Sequence, residues 1–203
     1  MLMKLTIRTV AVILALSAMT SVGSAGAAPS AELRPRVQVS SPWSKDDTVG
    51  EAFRPQGDVR KVVVENGRQQ VRFTFRMVAT PLWDTFATSR HTFMAFELDW
   101  QGTSAAFNRR VTVSRAEGNW HVVVYNGLGN SICVQTGGVT ALANHAWRFS
   151  VPTAGQFACL GGAHVIRVAA DFNDDQADDA EDDIRHDHVP NSGGYGPFIR
   201  LPN

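Results

Sequence analysis

Alternation of apolar and polar residues is the clearest pattern in this chain. Between Asp58 and Met77, a valine-rich run is followed by Asn66-Gly67 and then by Val-Arg-Phe-Thr-Phe-Arg-Met. A period of two residues turns one face of an antiparallel strand towards a core and the other towards solvent. Asn-Gly between two such runs is typical of a type I′ turn, in which both central residues have positive φ. The pattern predicts a β-hairpin.

The same alternation recurs along the chain in short segments separated by turn residues. Strands are predicted at 37–39, 92–100, 110–115, 120–125, 132–134, 139–142, 147–151, 164–170 and 195–201. Glu117-Gly118 is expected to close a second hairpin. A brief helical turn is expected only within 152–160, ended by Gly161-Gly162. About ten short strands with frequent turns predict an all-β fold, an antiparallel β-sandwich of jelly-roll or immunoglobulin-like type.

The N-terminus has the pattern of a secretory signal peptide. Lys4 and Arg8 precede an apolar segment at 10–18, and Ala25-Gly26-Ala27 is a small-residue cleavage site. The alternative is a membrane anchor, but the apolar segment is shorter than the roughly 20 residues that span a bilayer. We therefore expect a secreted protein with no membrane attachment after cleavage. The predicted organisation is a signal peptide at 1–27, an N-terminal arm at 28–57, and a β-sandwich domain at 58–203 that contains an acidic loop at 171–188.

The chain has two cysteines, Cys133 and Cys159. An even pair in an exported chain most simply forms a disulfide, whereas two buried thiols suit an oxidising compartment less well. Their spacing does not match the close pairs that bind zinc. We predict a Cys133–Cys159 disulfide.

A net charge of +0 hides a segregation of charge along the chain. Nine acidic residues lie between Asp171 and Asp187, where Arg185 is the only Lys or Arg. The rest of the chain after the predicted signal peptide has sixteen Lys and Arg against ten Asp and Glu. A mildly basic body with one strongly acidic loop argues against nucleic-acid binding.

Oxygen donors recur in the acidic loop with the spacing of a calcium-binding loop. Such a loop turns alternate side chains towards one centre and adds a backbone carbonyl at position 7. The segment resembles the calcium loops of dockerin and thrombospondin type 3 repeats. That resemblance implies calcium bound by Asp171, Asn173, Asp175, the Ala177 carbonyl, Asp179 through water, and Asp182. Gln176 departs from the pattern at position 6, where glycine is usual. The alternative is a solvated acidic loop.

Other candidate chemistry is sparse. His186 and His188 would share a face of a strand and, with a carboxylate, could ligate zinc or copper; solvated loop histidines are the alternative. Glu97 and Asp99, with Asp84, are candidate carboxylates for glycoside hydrolysis, although alternation predicts Glu97 and Asp99 together on a solvent face. No nucleophile elbow, phosphate-binding loop or zinc-protease motif occurs.

Trp83 lies in a polar segment between predicted strands. We expect it to be an exposed ring on which a sugar could stack, whereas the tryptophans within strands are expected in the core.

Three local sequences carry a wider resemblance: Gly57-Asp58-Val59, the Val-Arg-Phe-Thr-Phe-Arg run, and Cys159-Leu160-Gly161 before a long strand. Together they resemble a group of uncharacterised secreted bacterial β-sandwich proteins and, more distantly, sandwich modules that bind carbohydrate or haem. The resemblance implies a sandwich from Asp58 onward, and no Met–His pair matches a haem site. We expect an exported, non-catalytic module, stabilised by calcium, that binds an extracellular carbohydrate or protein. The alternative is a secreted hydrolase that uses carboxylates or a His/Asp metal site.

Overall fold

Thirteen β-strands and no helix are found in the residues that the computed structural model describes, which are 38–52, 55–83, 90–100, 107–162, 164–176, 187–191 and 194–202. The predicted signal peptide lies outside these residues. A helical turn is predicted within 152–160, but the structure has bends and turns there that are not helical. The strands are β1 Gln38–Val39, β2 Trp43–Asp46, β3 Val59–Asn66, β4 Gln70–Met77, β5 Arg90–Asp99, β6 Arg109–Ala116, β7 Asn119–Asn126, β8 Ser131–Thr136, β9 Thr140–Leu142, β10 Ala146–Pro152, β11 Arg167–Gln176, β12 Asp187–Val189 and β13 Phe198–Ile199.

Two antiparallel sheets pack face to face, which confirms the predicted β-sandwich. One sheet has five strands in the order β2-β3-β4-β10-β9, and the other has six in the order β12-β11-β5-β6-β7-β8. The short β1 and β13 pair in parallel as a separate two-stranded sheet. Edge strands β2 and β12 lie on the same side of the sandwich, since β12 contacts β3.

The core is made by the apolar positions of the alternating strands. Phe73 and Phe75 of β4 are fully buried, whereas Arg72, which precedes Phe73, forms an ion pair with Glu65 of β3 at 2.6 Å on the other face. The ring of Phe73 lies 4.7 Å from that of Phe96 in the opposite sheet. Aromatic contacts at this distance add to the free energy of apolar burial. The predicted core face of the first hairpin is therefore correct.

The first hairpin turns differently from the prediction. Asn66 still belongs to β3, where it pairs with Val71, and the Gly67 N–H donates to the Gln70 carbonyl at 3.0 Å. Neither Asn66 nor Gly67 has the positive φ that a type I′ turn requires. Asn66 is instead buried, and its side-chain amide donates to the backbone carbonyls of His164 and Ile199. Its local turn propensity is overridden by this longer-range role.

The second hairpin forms as predicted. Glu117 and Gly118 connect β6 to β7 with φ angles of 50° and 77°. Two left-handed residues in succession match the right-handed twist of the flanking strands. The predicted disulfide is also present, because the sulfur atoms of Cys133 and Cys159 are at bonding distance.

Candidate functional site

Four carboxylates gather beside the edge strands β2 and β12. Asp47 directly follows β2, Glu51 lies in the connection to β3, Asp58 directly precedes β3, and Asp187 begins β12. One carboxylate oxygen from each of Asp47, Glu51 and Asp187 lies within 4.8 Å of the other two. We call these four residues the carboxylate cluster.

Backbone N–H groups hold two of the carboxylates in place. Asp187 Oδ2 accepts a hydrogen bond from the Val59 N–H at 2.6 Å, which joins the edges of the two sheets. The register of β3 shifts between Val59 and Lys61, and such a bulge re-aims the backbone at the end of a strand. Asp58 Oδ2 accepts from the Gly50 N–H at 2.6 Å. Gly50 has φ of 97°, a conformation that side chains other than glycine rarely adopt.

Several oxygen atoms of the carboxylate cluster are buried without a hydrogen-bond partner. Asp58 is only 2% exposed, and its Oδ1 has no partner. Both carboxylate oxygens of Asp47 are also buried and without one. Burial of an uncompensated carboxylate costs several kcal/mol, so such atoms are rare in folded proteins. Their arrangement leaves an excess of negative charge that Lys45 offsets only in part.

The pKa values of the carboxylate cluster reflect the same excess of negative charge. The pKa of Asp187 is raised to about 6, first by burial and then by the charges of Asp47, Asp58 and Glu51, against the opposing effect of the Val59 N–H. The pKa of Asp47 is raised, first by burial and then by Glu51 and Asp58. Lys45 and the nearby backbone of Thr48 only partly offset this increase.

The geometry of the carboxylate cluster suits a hard divalent cation. Calcium binds oxygen ligands at about 2.3–2.6 Å, so two oxygens on one ion are separated by at most about 5 Å. The spacing of 4.8 Å between the three carboxylates meets this limit. Zinc prefers nitrogen and sulfur ligands in a tetrahedron, and magnesium requires a stricter octahedron. An irregular, all-oxygen set therefore favours calcium.

A second polar group lies on the outer face of the six-stranded sheet. His188 of β12 and Asp171 of β11 are register partners, and Nδ1 of His188 hydrogen-bonds to Oδ1 of Asp171. Burial alone lowers the pKa of His188, but the hydrogen bond to Asp171 and its charge raise it above the ordinary value. The other ring nitrogen, Nε2, is buried without a partner. Glu97 lies nearby, and burial followed by the charge of Asp171 raises its pKa.

The residues predicted to form a calcium loop divide between strand and undescribed chain. Asp171, Asn173 and Asp175 belong to β11 and pair with β5. The backbone of this part of the segment is an extended strand rather than the tight loop that the pattern predicts. Ala177, Asp179 and Asp182 lie outside the described residues, and calcium binding by this segment stays a prediction.

Two expectations about exposure are corrected. Trp83 is 6% exposed, because its ring packs edge-on against Phe75, Trp120, Trp147 and Phe172 and cannot serve as a sugar platform in this conformation.

Asp99 is also less exposed than predicted. It is fully buried and paired with Arg167 Nε at 2.9 Å, whereas alternation placed it on a solvent face with Glu97. Asp84 and His186, which were grouped with these candidates, lie outside the described residues.

The carboxylate cluster was missed by sequence reasoning because its members are not local. Asp47, Glu51 and Asp58 are spread over a segment with no regular period, and Asp187 joins them from 128 positions beyond Val59. Asp187 was counted among the acids of the 171–188 segment. The sequence signal for this site is that an aspartate lies at each end of the connection between β2 and β3, Asp47 at its start and Asp58 at its end.

Comparison with protein-family models, curated proteins and solved structures finds no match to this chain. Among the described residues, no helix is long and apolar enough to cross a membrane.

Proposed function

We propose that this protein is an exported, non-catalytic β-sandwich module in which a calcium ion binds the carboxylate cluster of Asp47, Glu51, Asp58 and Asp187. The observation that carries the proposal is the set of buried, unpartnered oxygens on Asp47 and Asp58 next to Asp187. A bound divalent cation would compensate them and neutralise the mutual repulsion of the carboxylates.

Each carboxylate has a defined role in this proposal. Asp47 offers both oxygens, since neither is hydrogen-bonded. Asp58 and Asp187 each give one oxygen to a backbone N–H, and these bonds hold the two carboxylates in place at the site. Glu51 is exposed and closes the site from the solvent side. Water completes the six to eight oxygen ligands that calcium takes.

Calcium would join the two sheets at their shared edge, because Asp187 and the other three ligands come from different sheets. A ligand that binds only the folded state stabilises it by about 2.7 kcal/mol at a hundredfold excess over its dissociation constant. The role of calcium is therefore to stabilise this edge of the sandwich in a module that binds an extracellular carbohydrate or protein.

The test is isothermal titration calorimetry of the chelator-treated protein with calcium, magnesium and zinc chlorides. We expect one calcium site, weaker magnesium binding, and loss of calcium binding in Asp58→Asn and Asp47→Asn. Asp46→Asn is the matched control, because its exposed carboxylate pairs with Lys61 outside the carboxylate cluster. Absence of calcium binding, or equal loss in the control, contradicts the proposal.

A second candidate function is hydrolysis at the polar group on the outer face of the six-stranded sheet. It rests on the His188 imidazole, which Asp171 orients while Nε2 stays unpartnered, and on Glu97 beside it. An oriented imidazole with a carboxyl group of raised pKa is suited to acid–base catalysis. Turnover of ester or glycoside substrates that His188→Gln abolishes would support this function, and no turnover across such a panel counts against it.

A further inference from the structure

A pocket of about 180 Å³ lies beside the turn of the first hairpin. The polar side chains in its wall belong to Ser41, Glu65, Asn66, Gln70 and Arg72. All five carry hydrogen-bonding groups, so the wall offers several polar contacts. The pocket lies at the end of β3, whereas the carboxylate cluster lies at the start of that strand. It is therefore separate from the calcium site and shares no residue with the polar group around His188.

Asn66 brings a buried hydrogen-bond acceptor to this pocket. The residue is fully buried, and its Nδ2 donates to the His164 and Ile199 carbonyls at 2.8 Å and 2.9 Å. Both amide hydrogens are therefore used, which fixes the orientation of the side chain. The other end of the amide, Oδ1, is buried and accepts no hydrogen bond from the described residues. Folded proteins rarely leave a buried acceptor in this state, so a ligand that donates to it gains affinity.

The other side chains of the wall supply donors as well as acceptors. Ser41 Oγ accepts a hydrogen bond from the Asn66 backbone N–H at 2.8 Å, and its own hydroxyl hydrogen can still donate. Glu65 Oε2 accepts from the Arg72 guanidinium at 2.6 Å, and this ion pair holds both side chains in the wall. The Gln70 amide adds one more donor and acceptor group. The pocket therefore has both kinds of group side by side, and its two opposite charges balance.

These groups indicate the chemical class of the ligand. An anion would lie next to Glu65 and a cation next to Arg72, and like charges at such short range repel each other. An apolar ligand would leave Asn66 Oδ1 without a donor. A hydroxyl group donates and accepts at once, so a neutral ring with several hydroxyls satisfies both kinds of group. The volume of about 180 Å³ is below the roughly 300 Å³ at which pockets for drug-sized ligands begin, which suits a single ring.

We propose that this pocket binds one neutral hexose unit of a carbohydrate. The inference rests on the proposed function, because it gives the binding module a ligand class and a site. Asn66 Oδ1 and the Glu65 carboxylate accept hydrogen bonds from sugar hydroxyls, while Ser41 and Arg72 donate to sugar oxygens. The buried Asn66 oxygen makes a hydroxyl at that point a requirement, so the pocket discriminates against sugars that lack it.

The test is an NMR titration that follows the backbone amide shifts of the wild-type protein. The neutral probes are the methyl glycosides of glucose, galactose and mannose, and the charged probes are glucuronic acid and glucosamine. We expect at least one neutral glycoside to bind with millimolar affinity and to shift the amides of Asn66, Gly67 and Gln70 most. The charged sugars should bind roughly fivefold more weakly, because each brings a like charge next to Glu65 or Arg72. Absence of shifts with every neutral glycoside up to about 50 mM overturns the proposal, as do shifts confined to another part of the protein.

Glu65→Gln is the variant that tests the wall of the pocket. It keeps the size of the side chain but removes a charged acceptor and the ion pair with Arg72. Hexose affinity should fall at least about tenfold, since hydrogen bonds to charged groups are the stronger ones. Glu117→Gln is the matched control, because Glu117 is exposed in the turn between β6 and β7 of the other sheet. Equal affinities of the two variants overturn the proposal. If Glu65→Gln fails to fold, the wild-type shifts still decide it.

Calcium calorimetry on the same protein separates this inference from the proposed function. The pocket and the carboxylate cluster lie at opposite ends of β3, so hexose affinity should be the same with calcium and with chelator. If calcium binds and no glycoside does, the hexose site is wrong while the calcium site stands. If a glycoside binds at Asn66 and calcium does not bind, the hexose site stands and the calcium site is wrong.

Discussion

The substitution Asp187→Asn should stabilise the folded protein with chelator and destabilise it, relative to the wild-type protein, with calcium. The asparagine side chain keeps an oxygen that can accept the hydrogen bond from the Val59 N–H. It removes one negative charge from among Asp47, Glu51 and Asp58. Without calcium the variant should therefore be more stable than the wild-type protein, and with calcium it should lose the stabilisation that the ion provides.

The magnitude follows from the pKa of Asp187, which is raised from 3.8 to about 6. A carboxyl group with a raised pKa in the folded state destabilises the fold as pH rises from about 4 to about 6, because the unfolded chain loses its proton first. Each tenfold change in proton affinity corresponds to about 1.36 kcal/mol. The raised pKa of Asp187 can therefore destabilise the folded state by at most about 3 kcal/mol. Solvent screening at the edge of the sandwich reduces this, and we expect about 1 kcal/mol.

Thermal unfolding followed by circular dichroism measures both signs. With chelator at about pH 7.5, Asp187→Asn should raise Tm by about 3 °C, and this gain should disappear at about pH 3, below both the ordinary pKa of 3.8 and the raised one, where Asp187 is protonated in both states. Saturating calcium should raise the wild-type Tm by about 8 °C and the variant Tm much less. The wild-type calcium effect should fall at about pH 5, since protons compete with the ion.

Asp46→Asn and Asp175→Asn are the comparisons for this experiment. The Asp46 side chain is 78% exposed, so Asp46→Asn should leave Tm unchanged both with calcium and with chelator. Asp175 belongs to the calcium-loop pattern in the sequence, so loss of the calcium effect in that variant alone would assign the ion to the 171–182 segment. If Asp187→Asn lowers Tm by the same amount with calcium and with chelator, the residue is purely structural and the reasoning is wrong.

Three further predictions concern the fold. Asn66→Ala should destabilise the fold by about 2 kcal/mol in urea unfolding, because it removes the hydrogen bonds to the His164 and Ile199 carbonyls, of which Ile199 keeps only the Ile166 N–H; an unchanged midpoint would contradict this role. Removal of the disulfide by Cys133→Ser with Cys159→Ser should cost about 3 kcal/mol, given its 26-residue separation, and mass spectrometry of unreduced, alkylated protein should find no free thiol. Gly118→Ala should cost about 1 kcal/mol through its φ of 77° alone, since a Cβ there meets no atom within 4 Å; equal melting temperatures would refute this.

The strands could be predicted from sequence because alternation is a local signal. Phe73 and Phe75 alternate with arginine and threonine, and a period of two residues assigns their faces directly. Asn66-Gly67 shows the limit of local reasoning, since the asparagine is used for contacts 98 and 133 residues away and the expected turn type is lost. Trp83 likewise lies in a segment between predicted strands in the sequence, but in the structure its ring packs in an aromatic cluster with Phe75, Trp120, Trp147 and Phe172.

The candidate site could not be predicted because its defining property is spatial. Asp47 and Asp187 are unremarkable acids in sequence, and only the meeting of β12 with the start of β3 brings them together. A dense acidic run such as 171–183 attracts a calcium-loop interpretation because close spacing is all that sequence reveals. Asp47 and Asp58 are distinguished by buried carboxylate oxygens that have no hydrogen-bond partner, and only the three-dimensional structure shows this.

The Asn66 side chain also has a consequence for the order in which the chain can fold. Its amide joins the first hairpin to the Ile199 carbonyl, and β13 pairs with β1 across nearly the whole described chain. These contacts close loops of more than a hundred residues, whose formation is slow. Until β13 has left the ribosome, β1 lacks its partner and Asn66 lacks the Ile199 acceptor. The contacts between the first hairpin and β13 are therefore among the last that the chain can form.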